Sequence, residues 1–318
     1  MIVTLTANPS FDRTIALSGR LERGDVVRAD SVLEQAGGKG VNISRVAAAA
    51  GVPTVAVFPA GAESSFTLEL EQHGIECVPV PPTGPIRVNL TLTEPDGTTT
   101  KINGAGAVAD GDLLVRLQGA LEKAATDATW VVLAGSLPPG APDGWYADLA
   151  AALADLPAAV AVDTSDGALV AVAERLESSG LGLLKPNAHE LALLTGDDPA
   201  DLEQNPHAVA AAARSLVERG VGAVLATLGG AGAVLVTPEG AWQATAPAVT
   251  VVSTVGAGDS SLFGYLLGEL GALPPADRLR FAVAYGSAAA ALPGTTLPAP
   301  HQVHPDQVTV TALHQSDR

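Results

Sequence analysis

Gly182-Leu-Leu-Lys-Pro-Asn-Ala-His-Glu-Leu-Ala-Leu-Leu194 condenses the fold into thirteen residues. A short apolar run, Gly182–Leu184, stops at a proline, and an apolar stretch of helical composition, Ala188–Leu194, starts behind Asn187, a good N-cap. Strand, polar turn and helix follow in that order, and the unit recurs along the chain. Further strand candidates are Ile2–Thr6, Thr54–Phe58, Trp130–Leu133, Ala159–Asp163, Ala223–Thr227 and Ala233–Thr237. Further helix candidates are Val41–Ala50, Asp110–Ala125, Asp143–Leu153, Ala208–Arg219, Ala257–Gly271 and Pro275–Leu292. Such alternation predicts βαβ units, hence an α/β fold with a mostly parallel sheet covered by helices on both faces.

Two stretches break the rhythm. Arg13–Gln35 and Ile86–Asn103 carry no helical signal and alternate like strands, as in Arg87-Val-Asn-Leu-Thr-Leu-Thr93. The turn Glu94-Pro-Asp-Gly97 between two such runs is a hairpin signal. These segments, about 13–35 and 86–103, read as a small β-sheet lid on a single domain covering 1–318. The tail after Pro293 reads as irregular, with a short strand at Val308–Thr311.

Composition narrows the function. A formal net charge of −17 disfavours nucleic acid and anionic membranes as partners, because the summed field repels polyanions. A small anion at a locally positive site remains open. There are four lysines, and two of them, Lys39 and Lys185, stand inside unusual motifs. The lone Cys77 excludes an intrachain disulfide or a cysteine zinc cluster. The start, MIVTLTANPSFDRT, has no basic region before a long apolar run, and no stretch is apolar enough to span a bilayer. A cytoplasmic protein is the expectation.

Five constellations could carry chemistry. Gly37-Gly-Lys-Gly-Val-Asn42 precedes a helix, so Gly38 can admit a ligand close to the backbone while Lys39 adds charge and Asn42 adds hydrogen bonds. Asn8-Pro-Ser-Phe-Asp12 follows the first strand, where ligands of open parallel sheets bind; Asp12 either accepts bonds from hydroxyls or caps a turn. In Lys185-Pro-Asn-Ala-His-Glu190, Lys185 and Asn187 suit nucleotide phosphates. Glu190 is either a capping-box partner or a residue acting on Mg²⁺ through water. The Thr227–Gly232 stretch, with Gly229 and Gly230, is a glycine turn or a loop along a nucleotide. The strongest signal is Thr254-Val-Gly-Ala-Gly-Asp-Ser260, running into a helix. Gly256 frees the turn, backbone N–H groups of Ala257 and Gly258 form an anion cradle, and Asp259 beside them suits a general base. No GxxxxGK[ST] pattern is present, so this is not a P-loop enzyme.

Together, Gly37–Asn42, Lys185–Glu190 and Thr254–Ser260 resemble the pfkB branch of the ribokinase-like carbohydrate kinases, in order and separation, over roughly Ile2 to Leu292. That resemblance implies a Rossmann-like domain with a β lid, often the contact of a homodimer. It implies ATP and Mg²⁺, sometimes aided by K⁺. It makes Asp259 the base, Ala257 and Gly258 the anion hole, and Asp12, Gly38, Lys39 and Asn42 sugar contacts. Lys185, Asn187 and the Thr227–Gly232 loop become nucleotide contacts, with Ser287 close to the adenine.

Asn8–Asp12, Ile86-Arg-Val-Asn89 and Ala134-Gly-Ser-Leu-Pro-Pro-Gly140 are similar to the family's phosphosugar kinases. Arg87, with Asn89, Lys39 and Ser136 nearby, would then hold a phosphate already on the substrate. Fructose 1-phosphate is the favoured substrate, with tagatose 6-phosphate and fructose 6-phosphate as alternatives. A non-catalytic sugar-phosphate sensor is the rival of another class. The sequence departs from the family at Pro59–Ser65, which has fewer glycines, and at Asp166, where glycine is common.

Overall fold

The computed structural model describes residues 1–246 and 249–313. Its strands are β1 Ile2–Thr6, β2 Ser10–Leu17, β3 Ala29–Gly37, β4 Thr54–Pro59, β5 Glu76–Val80, β6 Arg87–Thr93, β7 Thr99–Asn103, β8 Trp130–Ala134, β9 Ala159–Asp163, β10 Leu183–Leu184, β11 Val224–Thr227, β12 Ala233–Thr237, β13 Gly240–Thr245 and β14 Thr309–Ala312. The helices are α1 Lys39–Ala49, α2 Ser65–Gln72, α3 Gly111–Ala125, α4 Trp145–Ala152, α5 Asp166–Glu174, α6 Leu176–Ser179, α7 Ala188–Thr195, α8 Pro199–Gln204, α9 Pro206–Glu218, α10 Ala257–Leu270 and α11 Pro275–Ala290.

Ten strands form one sheet in the order β14-β13-β12-β11-β10-β9-β8-β1-β4-β5. It is parallel from β11 to β5, and its other end, β12 to β14, is antiparallel. Its central strands, such as β1 and β8, are buried along their whole length, as continuous apolar runs require when helices cover both faces. Alternate residues feed the two cores. Val3, Leu5, Val131 and Leu133 face α3, α4 and α9, whereas Ile2, Trp130 and Val132 face α1, α10 and α11. From β1 the chain builds outward through β4 and β5, then returns to β8 on the other flank. That reversal opens a crevice at the C-terminal strand ends.

The second sheet, β3-β2-β6-β7, springs from those ends. Its first hairpin begins at Ser10 and ends at Gly37, wider than the expected 13–35, so Asp12 lies on a strand rather than in a turn. The parallel register pairs Ser10 with Arg87 and Asp12 with Asn89, which puts all four side chains on one face. The Glu94–Gly97 turn closes the β6–β7 hairpin, with Gly97 at φ 88°.

Six elements carried no sequence expectation: α2, β5, α5, α6, α8 and β13. At α5 the reason is local. Asp166 opens the helix at φ 55°, a left-handed conformation that favours glycine and that Asp tolerates better than most residues. A glycine at this position would adopt the same conformation without strain.

Candidate active site

The Gly37–Asn42 segment is set by packing as much as by ligand access. A Cβ on Gly40 would stand 2.4 Å from Thr6 Oγ1 and 2.9 Å from the Leu5 carbonyl oxygen. A Cβ on Gly37 would stand 2.3 Å from an Asp12 carboxylate oxygen, and Gly38 sits at φ 117°. Without side chains here, α1 starts hard against the end of β1. Lys39 and Asn42 then point into the crevice.

Asn42 Nδ2 donates to Asp259 Oδ2 at 2.8 Å, across a sequence separation of 217 residues. Asp259 lies in the first turn of α10, behind an N-cap Gly256 at φ 75° that supplies no side-chain cap. Apart from a long turn bond from Ala257 N to the Thr254 carbonyl at 3.4 Å, the first N–H groups of that helix therefore keep their partial positive charge for a ligand. Burial pushes the Asp259 carboxyl up to about 6. The neighbouring Asp163 carboxylate adds to the rise, and Lys39, the Asn42 bond and Lys185 oppose it.

Asp163 is a site residue that sequence reasoning missed. It ends β9, is 1% exposed, and serves both lysines. Lys39 Nζ donates to its Oδ1 at 2.7 Å, and Lys185 Nζ lies 3.0 Å from its Oδ2. The second contact is an ion pair off hydrogen-bond alignment, which leaves Oδ2 without a directed donor. Burial alone would raise the Asp163 carboxyl, but the two ammonium groups hold it below the ordinary carboxylate value. An Asp at a strand end looks like any turn residue in a sequence. Only the adjacency of β8, β9 and β10 reveals its position.

On the small sheet, Ser10 Oγ donates to Asp12 Oδ1 at 2.8 Å, and Asn89 Nδ2 donates to the same oxygen at 3.0 Å. The Asn89 carbonyl oxygen is buried without a partner. Arg87 donates through Nη1 to the Gly104 carbonyl at 3.1 Å and reaches Ser136 Oγ through Nη2 at 3.5 Å. Its Nε is buried and unpaired.

The other predicted residues lie around Lys185 or serve the scaffold. Asn187 and Glu190 form a reciprocal capping box at the start of α7, Asn187 N to Glu190 Oε2 at 2.8 Å and Glu190 N to Asn187 Oδ1 at 2.9 Å. Thr227 bridges to Asn187, which places the glycine loop beside Lys185. A Cβ on Gly229 or Gly230 would meet open space, but one on Gly232 would stand 2.0 Å from the Ala244 carbonyl oxygen. Gly232 is therefore required by β13. The Ser287 hydroxyl returns to the Val283 carbonyl at 2.8 Å within α11.

Two lysines on one carboxylate, an uncapped helix start and a buried carboxylate beside it, at the strand ends of a parallel sheet, are the arrangement of a phosphoryl-transfer enzyme. The chain belongs to the pfkB family of carbohydrate kinases, which it matches over residues 5–302. It is 36% identical to the 1-phosphofructokinase of Xanthomonas campestris over 267 residues, 82% of each chain. It is also 36% identical to that of Haloferax volcanii over 303 residues, covering 94% of this chain and 93% of the other. The phosphofructokinase-2 of Escherichia coli, crystallised in complex with substrates and products, superposes with a TM-score of 0.86. It is 29% identical and covers 95% of this chain and 96% of its own. That enzyme has also been solved in complex with potassium and in a tetrameric inhibited form.

Proposed function

We propose that this kinase transfers the γ-phosphoryl group of ATP to the free primary hydroxyl of fructose 1-phosphate, giving fructose 1,6-bisphosphate. The observation that carries the sugar-phosphate reading is Arg87. Its guanidinium is half-buried, has an unpaired Nε, and stands beside Ser136 on the face that carries Asp12 and Asn89. A phosphate already on the substrate satisfies such a cation, and an uncharged sugar does not.

In this reading Asp12, Asn89 and Gly38 orient the sugar. Asp259, held by Asn42, takes the proton of the attacking hydroxyl as its oxygen bonds to phosphorus. The N–H groups of Gly258 and of Ala257, the latter held only by a 3.4 Å turn bond to the Thr254 carbonyl, meet the charge on the transferring group. Lys39 and Lys185 flank it. Asn187, Thr227, Gly229, Gly230 and the loop that Gly232 shapes lie along the nucleotide, with Ser287 toward its base. Mg²⁺ neutralises phosphate charge when bound. Glu190 keeps a carboxylate oxygen beyond the one in its cap, which fits a metal that retains its waters. K⁺ activation, a cytoplasmic location and a homodimer through the small sheet belong to the same reading. A non-catalytic sensor has no use for a buried carboxylate poised to exchange a proton near neutral pH.

Specificity constants for fructose 1-phosphate, tagatose 6-phosphate, fructose 6-phosphate and fructose, measured with ATP by ADP release, test the reading. Fructose 1-phosphate should lead. A higher value for either 6-phosphate would replace it as substrate, and equal use of fructose would remove the role of Arg87.

A further inference from the structure

One fully buried carboxylate joins the two sides of the crevice. Lys39 comes from the start of α1, next to the small sheet that faces the sugar, and Lys185 comes from the end of β10, next to the glycine loop. No other described contact ties those two lysines together, and Asp163 meets one with each oxygen. We propose that Asp163 is a positioning residue, a clamp that holds the sugar-side and nucleotide-side ammonium groups adjacent, one on each carboxylate oxygen, so that one phosphoryl group can be bound by both during transfer. This rests on the reading of Lys39 and Lys185 as phosphate cations given above.

Two ammonium groups brought together out of water repel each other, and an intervening carboxylate turns that repulsion into two attractions. Burial alone would lower the Lys39 amine, but Asp163, then Asp259 and Glu190, lift it above the ordinary lysine value. The pairing is also asymmetric. Lys39 is hydrogen-bonded at 2.7 Å with its side chain partly exposed, whereas Lys185 is buried and stands 3.0 Å from Oδ2. Tyr146, whose hydroxyl donates to the Ala134 carbonyl, is fully buried nearby, and burial first and then the Asp163 carboxylate push its phenol up.

The test compares wild type, Asp163→Asn, Lys39→Met and the double variant. The first readout needs no substrate. Lys39, with its side chain 35% exposed, can be acylated by a small amine reagent, and exposed Lys101 and Lys123 serve as internal references. Each pH unit by which the Lys39 amine falls raises its reactive fraction about tenfold. Asp163→Asn should therefore speed Lys39 acylation about tenfold relative to the references, and an unchanged ratio would overturn the clamp. The second readout is kinetic. Asp163→Asn should raise the KM for sugar phosphate and for ATP together and lower kcat, while adding it to Lys39→Met should leave the sugar KM where Lys39→Met set it. A change confined to the Mg²⁺ concentration for half activity, with neither KM moved, would assign Asp163 to the metal instead and overturn the proposal. If Asp163→Asn does not fold, the double variant decides. Folding restored by removing one cation supports the clamp, and failure of both variants overturns it. Because acylation reports on the free enzyme, a wrong substrate assignment leaves this test intact.

Discussion

At the scale of single residues, Asp259 separates chemistry from stability. Asp259→Asn keeps shape and the first-turn position but loses basicity, so kcat should fall by about 10²–10⁴ while ATP binding and the fold are retained. Turnover within tenfold of wild type would remove Asp259 as the base. The same carboxyl sets the pH profile. Only its ionised form accepts the proton, and its value of about 6 means that kcat/KM should drop as pH falls through 6, tenfold per unit below it. Stability runs the other way. Between the ordinary 3.8 and about 6 the folded state holds a proton that the unfolded state has released, so stability falls as pH rises through that window. Asp259→Asn should therefore gain thermal stability over wild type at pH 8 more than at pH 5. Arg87→Ala should act on one substrate only. Loss of a half-buried charge-assisted contact costs about 2 kcal/mol, the low end for a buried pair. The KM for sugar phosphate should rise roughly thirtyfold with that for ATP unchanged, and an equal rise in both would point to disruption of the small sheet. Motif residues were legible in the sequence because glycines, Lys and Asp in tight order have few other uses. The Asn42–Asp259 bond and the Lys39–Asp163–Lys185 cluster were not, since each joins residues that no local pattern connects.

At the scale of elements, the site depends on where α1 and α7 begin. Gly40→Ala would force a methyl against the Thr6 hydroxyl and the β1 backbone. Overpacking of this kind costs about 1–3 kcal/mol, and because α1 carries both Lys39 and Asn42, sugar KM should rise together with the loss in unfolding free energy. Unchanged stability would show that the start of α1 has room to shift. Glu190→Gln keeps the reciprocal cap, since an amide oxygen can still accept from Asn187 N. A higher Mg²⁺ requirement at unchanged stability would leave Glu190 with the metal, and no shift would leave it as a cap alone. The elements most legible in the sequence were those that tertiary burial had made most monotonous. β1, β9 and β12 run between the residues that the apolar pattern marked, because both their faces are covered and only Thr4 of β1 interrupts the apolar run before each strand's last residue. The half-exposed β5 and β13 lack that continuity, and α8 is a single short turn behind Asp198, too brief for periodicity to register.

At the scale of the whole molecule, the small sheet presents two different faces. One carries Ser10, Asp12, Arg87 and Asn89 toward the crevice; the other, by strand alternation, carries Ile15, Val32, Leu90, Leu92 and Ile102. Val32 is 58% and Ile102 54% exposed, and both neighbour the Arg13–Glu34 ion pair on that outer face. An apolar sheet face ringed by charge is the surface on which the proposed homodimer would form. Net charge opposes that association. Two copies at −17 each repel, and salt screens the repulsion while strengthening apolar burial. The dimer should therefore tighten as ionic strength rises, opposite to an interface held by ion pairs. Sedimentation velocity at low and high salt reads this directly. Val32→Glu combined with Ile102→Glu adds two charges to the middle of the apolar face and should give monomer at every salt concentration, with thermal stability little changed because neither side chain is part of the core. A wild-type protein that sediments as monomer at assay concentration, or a double variant that stays dimeric, would place the association surface elsewhere. Arg87 and Asn89 stand on β6 with Val88 between them and Leu90 and Leu92 of the outer face beyond them, so loss of the dimer should also loosen sugar-phosphate binding. The KM for sugar phosphate should then fall with enzyme concentration in wild type and stay flat in the monomeric variant.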